Sequence, residues 1–353
     1  MMNMMRHFLF YKFLVIGTLL LLTSCEHDDP VDPIKPREER RVLLLSSEGH
    51  IYDQTGEKIK ELPNCIEAHE IISDGDDYFV SGEMSKGRGG YWKNGKWNTL
   101  HVDFIDDVNH WTDGIGKWDY YIFLFDYPNV LRNSGIFPLE DCEDFIPASK
   151  CMSVSEGHCY IVGRDQPDDN NMHQNAVLYS EHKGKYAKQI LPKPQAEVNA
   201  AGYTVFAYDR THTVVGGRVD EDPCLWVDGQ LQILPRLYDT HDQTGEGMPV
   251  AYVGSVTYNN GHIYAVGSDI KEDRNEVAML WVDGVPQHLC SDQEGLYWSW
   301  ALEVIGYGDD WYALTIEMYD APGDEYNLSI VLWLNGEVYR KFHSIDIVNF
   351  TVL

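Results

Sequence analysis

A short motif that ends in Asn-Gly or Asp-Gly recurs along the chain and limits the possible folds more than any other feature. Its clearest copies are Tyr91–Gly95, Leu225–Gly229, Leu280–Gly284 and Leu332–Gly336, each with Trp at the second position. Such a pair between two apolar strands favours a type I′ turn, because both central residues of that turn need a positive φ. Each copy therefore predicts a tight β-hairpin. Weaker copies, in which the Trp or the turn pair differs, begin at Ile51, Val130 and Leu178.

The hairpins belong to a longer repeat of about 40 to 55 residues. An apolar strand precedes each hairpin, and several of these strands contain glycine: Phe79–Gly82, Tyr160–Gly163, Val214–Gly216 and Tyr264–Gly267. An inner strand before this one and an outer strand after the turn give four antiparallel strands per unit. Repeats of this length and content are typical of β-propeller blades, and no long segment shows helical periodicity. The sequence predicts an all-β fold, a β-propeller of four-stranded antiparallel blades.

The two ends of the repeat array are incomplete in complementary ways. Three strands are expected at the start, over Val42–Leu45, His50–Asp53 and Glu57–Leu62, and one strand is left over at the end, Ile345–Leu353. Pairing the last strand with the first three completes a blade and removes exposed strand edges. We therefore predict a seven-bladed propeller, with six blades as the alternative if the first three strands pack elsewhere.

Residues 1–24 read as a targeting segment. Arg6 and Lys12 precede the apolar run Phe13–Leu22, which is too short to span a bilayer and has the length of a secretory signal. The tetrapeptide Leu22–Cys25 resembles the bacterial lipobox, which implies cleavage before Cys25 and acylation of that residue. An ordinary signal peptide followed by an incidental Cys is the alternative.

Residues 25–40 form an acidic and proline-rich tether in this interpretation, followed by a propeller domain over 41–353. The cluster Glu26–Asp29 is similar to the surface-export signal of Bacteroidota lipoproteins, and a plain solvated tether is the alternative. Residues 42–353 resemble surface-exposed propeller lipoproteins of Bacteroidota that carry Leu-Trp-x-Asn/Asp-Gly repeats. This resemblance implies a lipid-anchored protein on the outer face of the outer membrane, and it implies no particular activity.

The charge of the chain excludes several classes of partner. Twenty-seven Lys and Arg against 56 Asp and Glu give a formal net charge of −29, which disfavours nucleic acids and anionic lipid surfaces. We predict membrane contact through the anchor alone, and a monomer. The six cysteines beyond Cys25 are few and irregularly spaced, so we expect neither a disulfide framework nor a cysteine metal site.

The face at which the inner strands begin is the expected working face. Its connections are predicted to be long, including Arg164–Asn175, Arg218–Pro223, Ser268–Glu276 and Met318–Asn327, and rich in acidic residues. The acidic residues are interpreted as solvated loop charges rather than as calcium ligands. Polar and aromatic residues at the inner-strand starts should surround the axial opening: Glu67, His69, Asn109, His110, Trp111, Asn199, Tyr252, Tyr297, Trp298 and Trp300.

Two roles are open for these residues. The aromatic side chains can form a platform for a sugar ring or a planar cofactor, with Asn109, His110 and Asn199 as hydrogen-bonding partners. They can instead pack between blades. Strand alternation places Trp298 and Trp300 on one side of their strand. The tryptophans of the repeat, by contrast, are expected to be structural, because a residue that recurs in many blades serves what every blade needs.

No catalytic motif is found in the sequence. There is no Gly-x-Ser-x-Gly elbow, no glycine-rich phosphate loop and no paired-histidine zinc motif, so we predict no metal and no resident cofactor. The leading hypothesis is a surface binding protein that captures a nutrient, glycan or cofactor and passes it to a TonB-dependent outer-membrane transporter. The alternatives are a polysaccharide-cleaving enzyme using His110 with Glu67, and a scaffold that binds another protein through its acidic rim.

Overall fold

The computed structural model describes residues 40–85, 90–99, 114–119, 121–126, 128–132, 135–165, 173–182, 184–238, 250–273, 275–291, 295–321, 325–343 and 346–353. The regular elements in these ranges are all β-strands. None of the described residues belongs to a helix of the length and hydrophobicity needed to cross a membrane. The predicted all-β class is confirmed. Cys25, the predicted lipidation site, and the predicted targeting segment over 1–24 lie outside the described residues.

The strands are, in chain order, β1 (Val42–Leu45), β2 (His50–Asp53), β3 (Lys58–Glu61), β4 (Cys65–Asp74), β5 (Asp77–Met84), β6 (Gly90–Lys93), β7 (Lys96–Thr99), β8 (Gly114–Trp118), β9 (Tyr121–Asp126), β10 (Asn129–Arg132), β11 (Gly135–Pro138), β12 (Phe145–Ser155), β13 (His158–Asp165), β14 (Asn175–His182), β15 (Lys185–Ile190), β16 (Ala200–Ala207), β17 (Thr213–Val219), β18 (Asp222–Val227), β19 (Gln230–Ile233), β20 (Tyr252–Asn259), β21 (His262–Ile270), β22 (Glu276–Val282), β23 (Val285–His288), β24 (Leu296–Tyr307), β25 (Asp310–Ala321), β26 (Glu325–Leu334), β27 (Glu337–His343) and β28 (Asn349–Val352).

These strands form five four-stranded sheets and one eight-stranded sheet. In each group of four, neighbouring strands are antiparallel, as the repeat predicts. The eight-stranded sheet consists of β12–β15 and β16–β19, which are joined by a single parallel pair, Lys150 and Thr204. The sheets are therefore repeated antiparallel units, each continuous in sequence apart from the one that contains both ends of the domain.

That exceptional sheet has the order β28-β1-β2-β3 and closes the array. Leu44 pairs with Phe350 and Val42 with Val352, and the side chains of all four residues are buried. The Leu353 N–H donates to the Arg41 carbonyl at 2.8 Å. The predicted pairing of one C-terminal strand with three N-terminal strands is thus confirmed. It satisfies the backbone groups that β1 would otherwise leave unpaired at a sheet edge.

One strand in each group of four, called here the inner strand, is the first in sequence except in the closing sheet, where it is β28. Each inner strand packs against the inner strand of the next sheet. Contacts run in the order β28-β4-β8-β12-β16-β20-β24, and β24 returns to β28. A closed ring of four-stranded antiparallel sheets is the architecture of a β-propeller. Hydrophobic clusters fill the spaces between neighbouring sheets, as in the cluster of Leu44, Tyr312, Leu332 and Phe350.

The Asn-Gly and Asp-Gly pairs form the predicted hairpins. Asn94, Asp228, Asp283 and Asn335 have φ near 50°, and the glycine after each also has a positive φ. The side chains explain why Asn or Asp is required. Each Oδ1 accepts a hydrogen bond from a backbone N–H at the start of the second strand of its sheet, at 2.9–3.0 Å.

The repeat tryptophans are structural, as expected. Trp92, Trp226 and Trp281 are fully buried. Their indole N–H groups donate to the carbonyls of Pro63, Pro192 and Pro235, at 3.3, 2.7 and 2.9 Å. These prolines lie in the connections that lead from the previous outer strand, so each Trp fixes the entry to its own sheet. Trp333 instead donates to the Thr315 hydroxyl at 2.9 Å.

The expected loop Ser268–Glu276 is shortened to five residues, because β21 and β22 pair up to Ile270 and Glu276. Two other expected loops are reduced to connections of two and three residues. Over 218–223, the strands β17 and β18 pair up to Val219 and Asp222, which leaves a two-residue connection. Over 318–327, pairing continues to Ala321 and Glu325. The polar residues of both segments extend the hairpins rather than forming loops, because the backbone pairing does not depend on the polarity of exposed side chains.

Candidate functional site

Bulges in the inner strands build the axial opening. The register of β4, β16, β20 and β24 against the second strand of each sheet shifts by one residue at a similar level. The shifts leave His69, Tyr203, Gly254 and Leu302 without a partner in the ladder. In β12 the irregularity is longer and covers Ala148–Cys151. A bulge bends the strand and redirects side chains, and every one of these bulges contributes to the same cavity.

Glycines in the second strands accommodate these bulges. A Cβ atom on Gly82, Gly163, Gly217 or Gly267 would lie 1.9–2.3 Å from a carbonyl oxygen of the inner strand. The carbonyls belong to Glu67, Ile146, Ala201 and Tyr252. Only glycine tolerates so close an approach of the neighbouring backbone. In four of the five bulged sheets, a glycine in the second strand thus marks the bulge in its partner, whereas β25 contains no glycine opposite the bulge in β24.

The cavity formed by the bulges, called here the mouth cavity, has a volume of about 520 Å³. Among the described residues, the rings of Tyr203, Tyr252 and Trp300 line it. The polar lining residues are Glu67, His69, Ser47, Ser149 and Lys150. Aromatic walls with a few polar groups are typical of small-molecule sites.

The aromatic residues contact one another edge to face. The rings of Tyr203 and Tyr252 have centroids 5.5 Å apart and an interplanar angle of 74°. The rings of Trp298 and Trp300 are 5.8 Å apart at 67°. Arg218 Nε donates to the Tyr203 hydroxyl at 2.8 Å and holds that ring. Trp300 is 41% exposed although its strand neighbours Ser299 and Ala301 are buried, so its ring is available to a ligand.

Lys150 crosses the axis below the mouth cavity. Its Nζ donates to the Leu302 carbonyl at 2.7 Å and lies 3.2 Å from Glu303 Oε2, so it links β12 to β24. Lys150 also lines a second cavity of about 360 Å³, whose wall includes Glu70 and Glu303. The Lys150 side chain thus lies between an aromatic upper cavity and a polar lower one.

Side chains in the channel satisfy the exposed backbone edges of neighbouring inner strands. Glu70 Oε2 accepts from Ile115 N–H at 3.0 Å, and Glu303 Oε2 accepts from Phe350 N–H at 3.3 Å. Other oxygens do the same between other pairs of sheets: Ser153 to Ala207, Ser255 to Val304, and Asn349 to Ile71. These bonds give the two channel carboxylates a structural role, since an unpaired buried N–H is costly.

Burial dominates the titration of the channel carboxylates. It raises the pKa of Glu70 to about 8, with a further increase from the Glu303 carboxylate, while the Ile115 N–H and Lys150 act in the opposite direction. Burial also raises the pKa of Glu303, and the Lys150 ammonium opposes that shift. Glu70 is therefore largely protonated at neutral pH, and the lower cavity holds less negative charge than its sequence implies.

A carboxyl group lies behind the aromatic wall. Burial raises the pKa of Glu276, while Trp300 and Ser268 favour its charged form. Burial also raises the pKa of the Tyr252 hydroxyl, and the Glu276 carboxyl adds to that shift. Tyr252 and Trp300 thus share an acidic neighbour on the side away from the cavity.

The predicted site residues are divided among several places. Tyr252 and Trp300 line the mouth cavity with Glu67 and His69, and Trp298 contacts Trp300 on the same side of β24, as alternation predicts. Tyr297 lies at a separate irregularity between Leu296 and Trp298 and is 36% exposed. It does not line the cavity.

Asn199 lies outside the mouth cavity, in a groove with Arg218 and Asp220. Its Oδ1 accepts from Gln174 N–H at 2.9 Å, and its carbonyl accepts from Asp220 N–H at 2.7 Å. These bonds hold two connections together and direct the amide away from the axis. Asn109, His110 and Trp111 lie outside the described residues. His110 is also the histidine that the enzyme hypothesis pairs with Glu67.

Sequence reasoning missed Tyr203, Lys150, Glu70 and Glu303. Gly217 could have indicated the bulge at Tyr203, because a glycine within a strand often marks a close backbone approach. Nothing comparable indicates that Lys150 reaches Glu303, since the two residues meet only when the ring is closed. Within the ranges given above, no cluster of three His, Cys, Asp or Glu side chains is arranged to hold a metal ion.

No protein-family model and no curated protein matches the chain. Among solved structures, it is similar to xylan β-1,4-xylosidase from Bacillus halodurans C-125, at 12% identity and a TM-score of 0.33 over 77% of this chain. The chain spans 55% of that protein. It is also similar to apo AztD from Citrobacter koseri, at 6% identity and a TM-score of 0.44, with 89% of this chain and 98% of AztD covered.

A third similar structure is the subtype N11 neuraminidase-like protein of A/flat-faced bat/Peru/033/2010, at 8% identity and a TM-score of 0.43. The match covers 87% of this chain and 99% of that one. Similarity at these levels does not indicate what the present chain binds.

Proposed function

We propose that this protein is a seven-bladed β-propeller that binds a small ring-bearing ligand, in the first instance a glycan, at its mouth cavity. The observation that carries the proposal is the convergence of Tyr203, Tyr252 and Trp300 on one cavity of about 520 Å³, beside polar groups of Glu67 and His69. Sugar rings stack on aromatic faces, while their hydroxyls need the hydrogen-bonding groups of such a wall.

The proposal extends to the location of the protein. The lipobox-like tetrapeptide at Leu22–Cys25 and the acidic cluster Glu26–Asp29 support a lipid anchor and export to the outer face of the outer membrane. A captured ligand would then pass to an outer-membrane transporter of the TonB-dependent class. Cell fractionation of a Cys25→Ala variant tests the anchor: we expect the variant to leave the membrane fraction, and retention there would contradict it.

Isothermal titration against a panel of neutral, cationic and anionic oligosaccharides tests the binding site. We expect Trp300→Ala and Tyr252→Ala each to weaken binding about tenfold or more, as for aromatic anchors of other interfaces. The control is Tyr339→Ala, because Tyr339 is similarly exposed but lies on the outer strand β27. Absence of binding to every panel member, or equal binding by all three variants and the parent, would contradict the proposal.

A further inference from the structure

The charges that line the mouth cavity are unequal. Glu67 is a lining residue with half of its side chain exposed, and its one ion-pair partner among the described residues is His69, with Nε2 4.0 Å from Oε2. His69 provides a positive charge only when it is protonated. The carboxylate of Glu67 therefore presents a net negative charge to the cavity whenever the imidazole is neutral.

Lys150 does not balance Glu67. Its ammonium lies 3.2 Å from Glu303 Oε2 and donates to the Leu302 carbonyl, and its side chain is 17% exposed. The positive charge of Lys150 is thus paired with the Glu303 carboxylate, on the channel side of the cavity. Arg218 contacts the aromatic wall at the Tyr203 hydroxyl, and its guanidinium also donates to the Asp220 carbonyl at 2.6 Å.

Aromatic rings add to the preference for positive charge. The face of a Trp or Tyr ring is the negative end of its quadrupole and attracts ammonium groups. Tyr203, Tyr252 and Trp300 line the same cavity as Glu67. At a formal net charge of −29, the field of the whole chain also concentrates cations near its surface.

We infer that the ligand of the mouth cavity carries an ammonium group, held by Glu67 and by the aromatic wall. This inference rests on the proposed function and specifies the ligand class: a cationic sugar such as a glucosamine oligomer, or a quaternary ammonium compound. The ammonium group is the chemistry that both sources share.

A charge series of ligands separates this inference from the proposed function. The probes are a glucosamine tetramer, its N-acetylated counterpart, cellotetraose, a galacturonic acid tetramer and choline, each titrated calorimetrically at low and at high salt. We expect the glucosamine tetramer to bind about tenfold more tightly than the neutral tetramers, and this advantage to shrink at high salt. Binding of choline without any sugar would point to a quaternary ammonium ligand.

Two variants that each remove one negative charge test whether Glu67 causes the preference for the cationic tetramer. Glu67→Gln should remove most of the advantage of the glucosamine tetramer and leave neutral tetramers unaffected, whereas Glu337→Gln on the outer strand β27 should change neither. Thermal melting of both variants verifies that they fold. Equal affinities across the neutral and cationic tetramers would overturn the inference and leave the glycan proposal standing. Tightest binding of the galacturonic acid tetramer would also overturn it, and no binding by any probe would refute both.

Discussion

The hairpins at the outer side of the sheets and the inner strands around the axis follow opposite rules. In the hairpins, the same Trp, Asn or Asp, and Gly return in sheet after sheet, and the Asn or Asp side chains accept the same backbone hydrogen bond. In the inner strands, the bulges return but the residues at them differ: His69, Tyr203, Gly254 and Leu302. Backbone geometry repeats in both regions, whereas side-chain identity repeats only in the hairpins.

We infer that the recurring residues stabilise the fold, whereas the residues that vary from sheet to sheet form the binding site. A residue that recurs in many sheets, such as Trp226, is buried and holds the connection into its sheet. A position that varies at a fixed bulge, such as Tyr203, faces the shared cavity. Substitutions in the two regions should therefore affect different measurements.

The largest effect is expected from removal of the closing strand. A chain that ends at Val348 loses the buried side chains of Phe350 and Val352 and leaves β1 as an open edge. Two such losses lower the free energy of unfolding by more than about 5 kcal/mol. Urea denaturation followed by circular dichroism measures the change. An unchanged midpoint would show that ring closure does not stabilise the fold.

The tryptophans provide the sharpest contrast between the two regions. Trp226→Ala should lower the free energy of unfolding by about 3–5 kcal/mol, because the side chain is fully buried, without changing ligand affinity per folded molecule. Trp300→Ala should change stability by less than about 1 kcal/mol and abolish most of the binding. Denaturation and calorimetric titration of both variants check this. An equal loss of stability in the two variants would contradict the assignment of Trp226 to the fold and of Trp300 to the binding site.

A glycine in a second strand connects the two regions. In Gly267→Ala the new Cβ would lie 1.9 Å from the Tyr252 carbonyl oxygen, so the bulge beside Tyr252 has to shift. We expect a loss of about 1–3 kcal/mol in the free energy of unfolding together with weaker ligand binding. The control is Gly261→Ala, where φ is +85° but no atom lies within 4 Å of the Cβ.

The control glycine lies in a turn distant from the mouth cavity. Its substitution should cost about 1–2 kcal/mol through backbone strain alone and leave affinity unchanged. Calorimetric titration of both variants distinguishes a shifted bulge from general destabilisation. Normal affinity in Gly267→Ala would show that the bulge geometry does not determine the site.

The last expected effect depends on pH and involves Glu70. Its folded-state pKa of about 8 lies above the ordinary 4.5, so the folded chain binds the extra proton between these values. The contribution of this proton to the free energy of unfolding is fully present below about pH 4.5, and it is lost as the pH rises through 8. Glu70→Gln should flatten this fall in the free energy of unfolding, because the amide oxygen still accepts from Ile115 and carries no charge. Denaturation at several pH values measures the slope, and the same slope in the parent and the variant would contradict the assignment.

Much of the fold could be predicted because its signals are local. The Asn-Gly turn at Asn94 and Gly95 needs only positive φ at neighbouring residues, and the leftover strand at the C-terminus needs only a count of strands. The candidate site was predictable in part. Tyr252 and Trp300, both predicted site residues, line the mouth cavity. Asn199 directly precedes the inner strand β16 but does not line the cavity, because Gln174 and Asp220 bind it in a separate groove.

The amino-acid sequence alone determined the strand repeat, the hairpin turns, the buried tryptophans and the pairing of the two ends, since each depends on residue type and spacing. The tertiary structure decided which side chains meet at the axis. Lys150 and Glu303 are far apart in sequence and belong to different sheets, and the bulges in β12 and β24 set where their side chains point. Such contacts arise from closure of the ring, because a one-residue shift in register redirects a side chain without changing the pattern of residues that forms the strand.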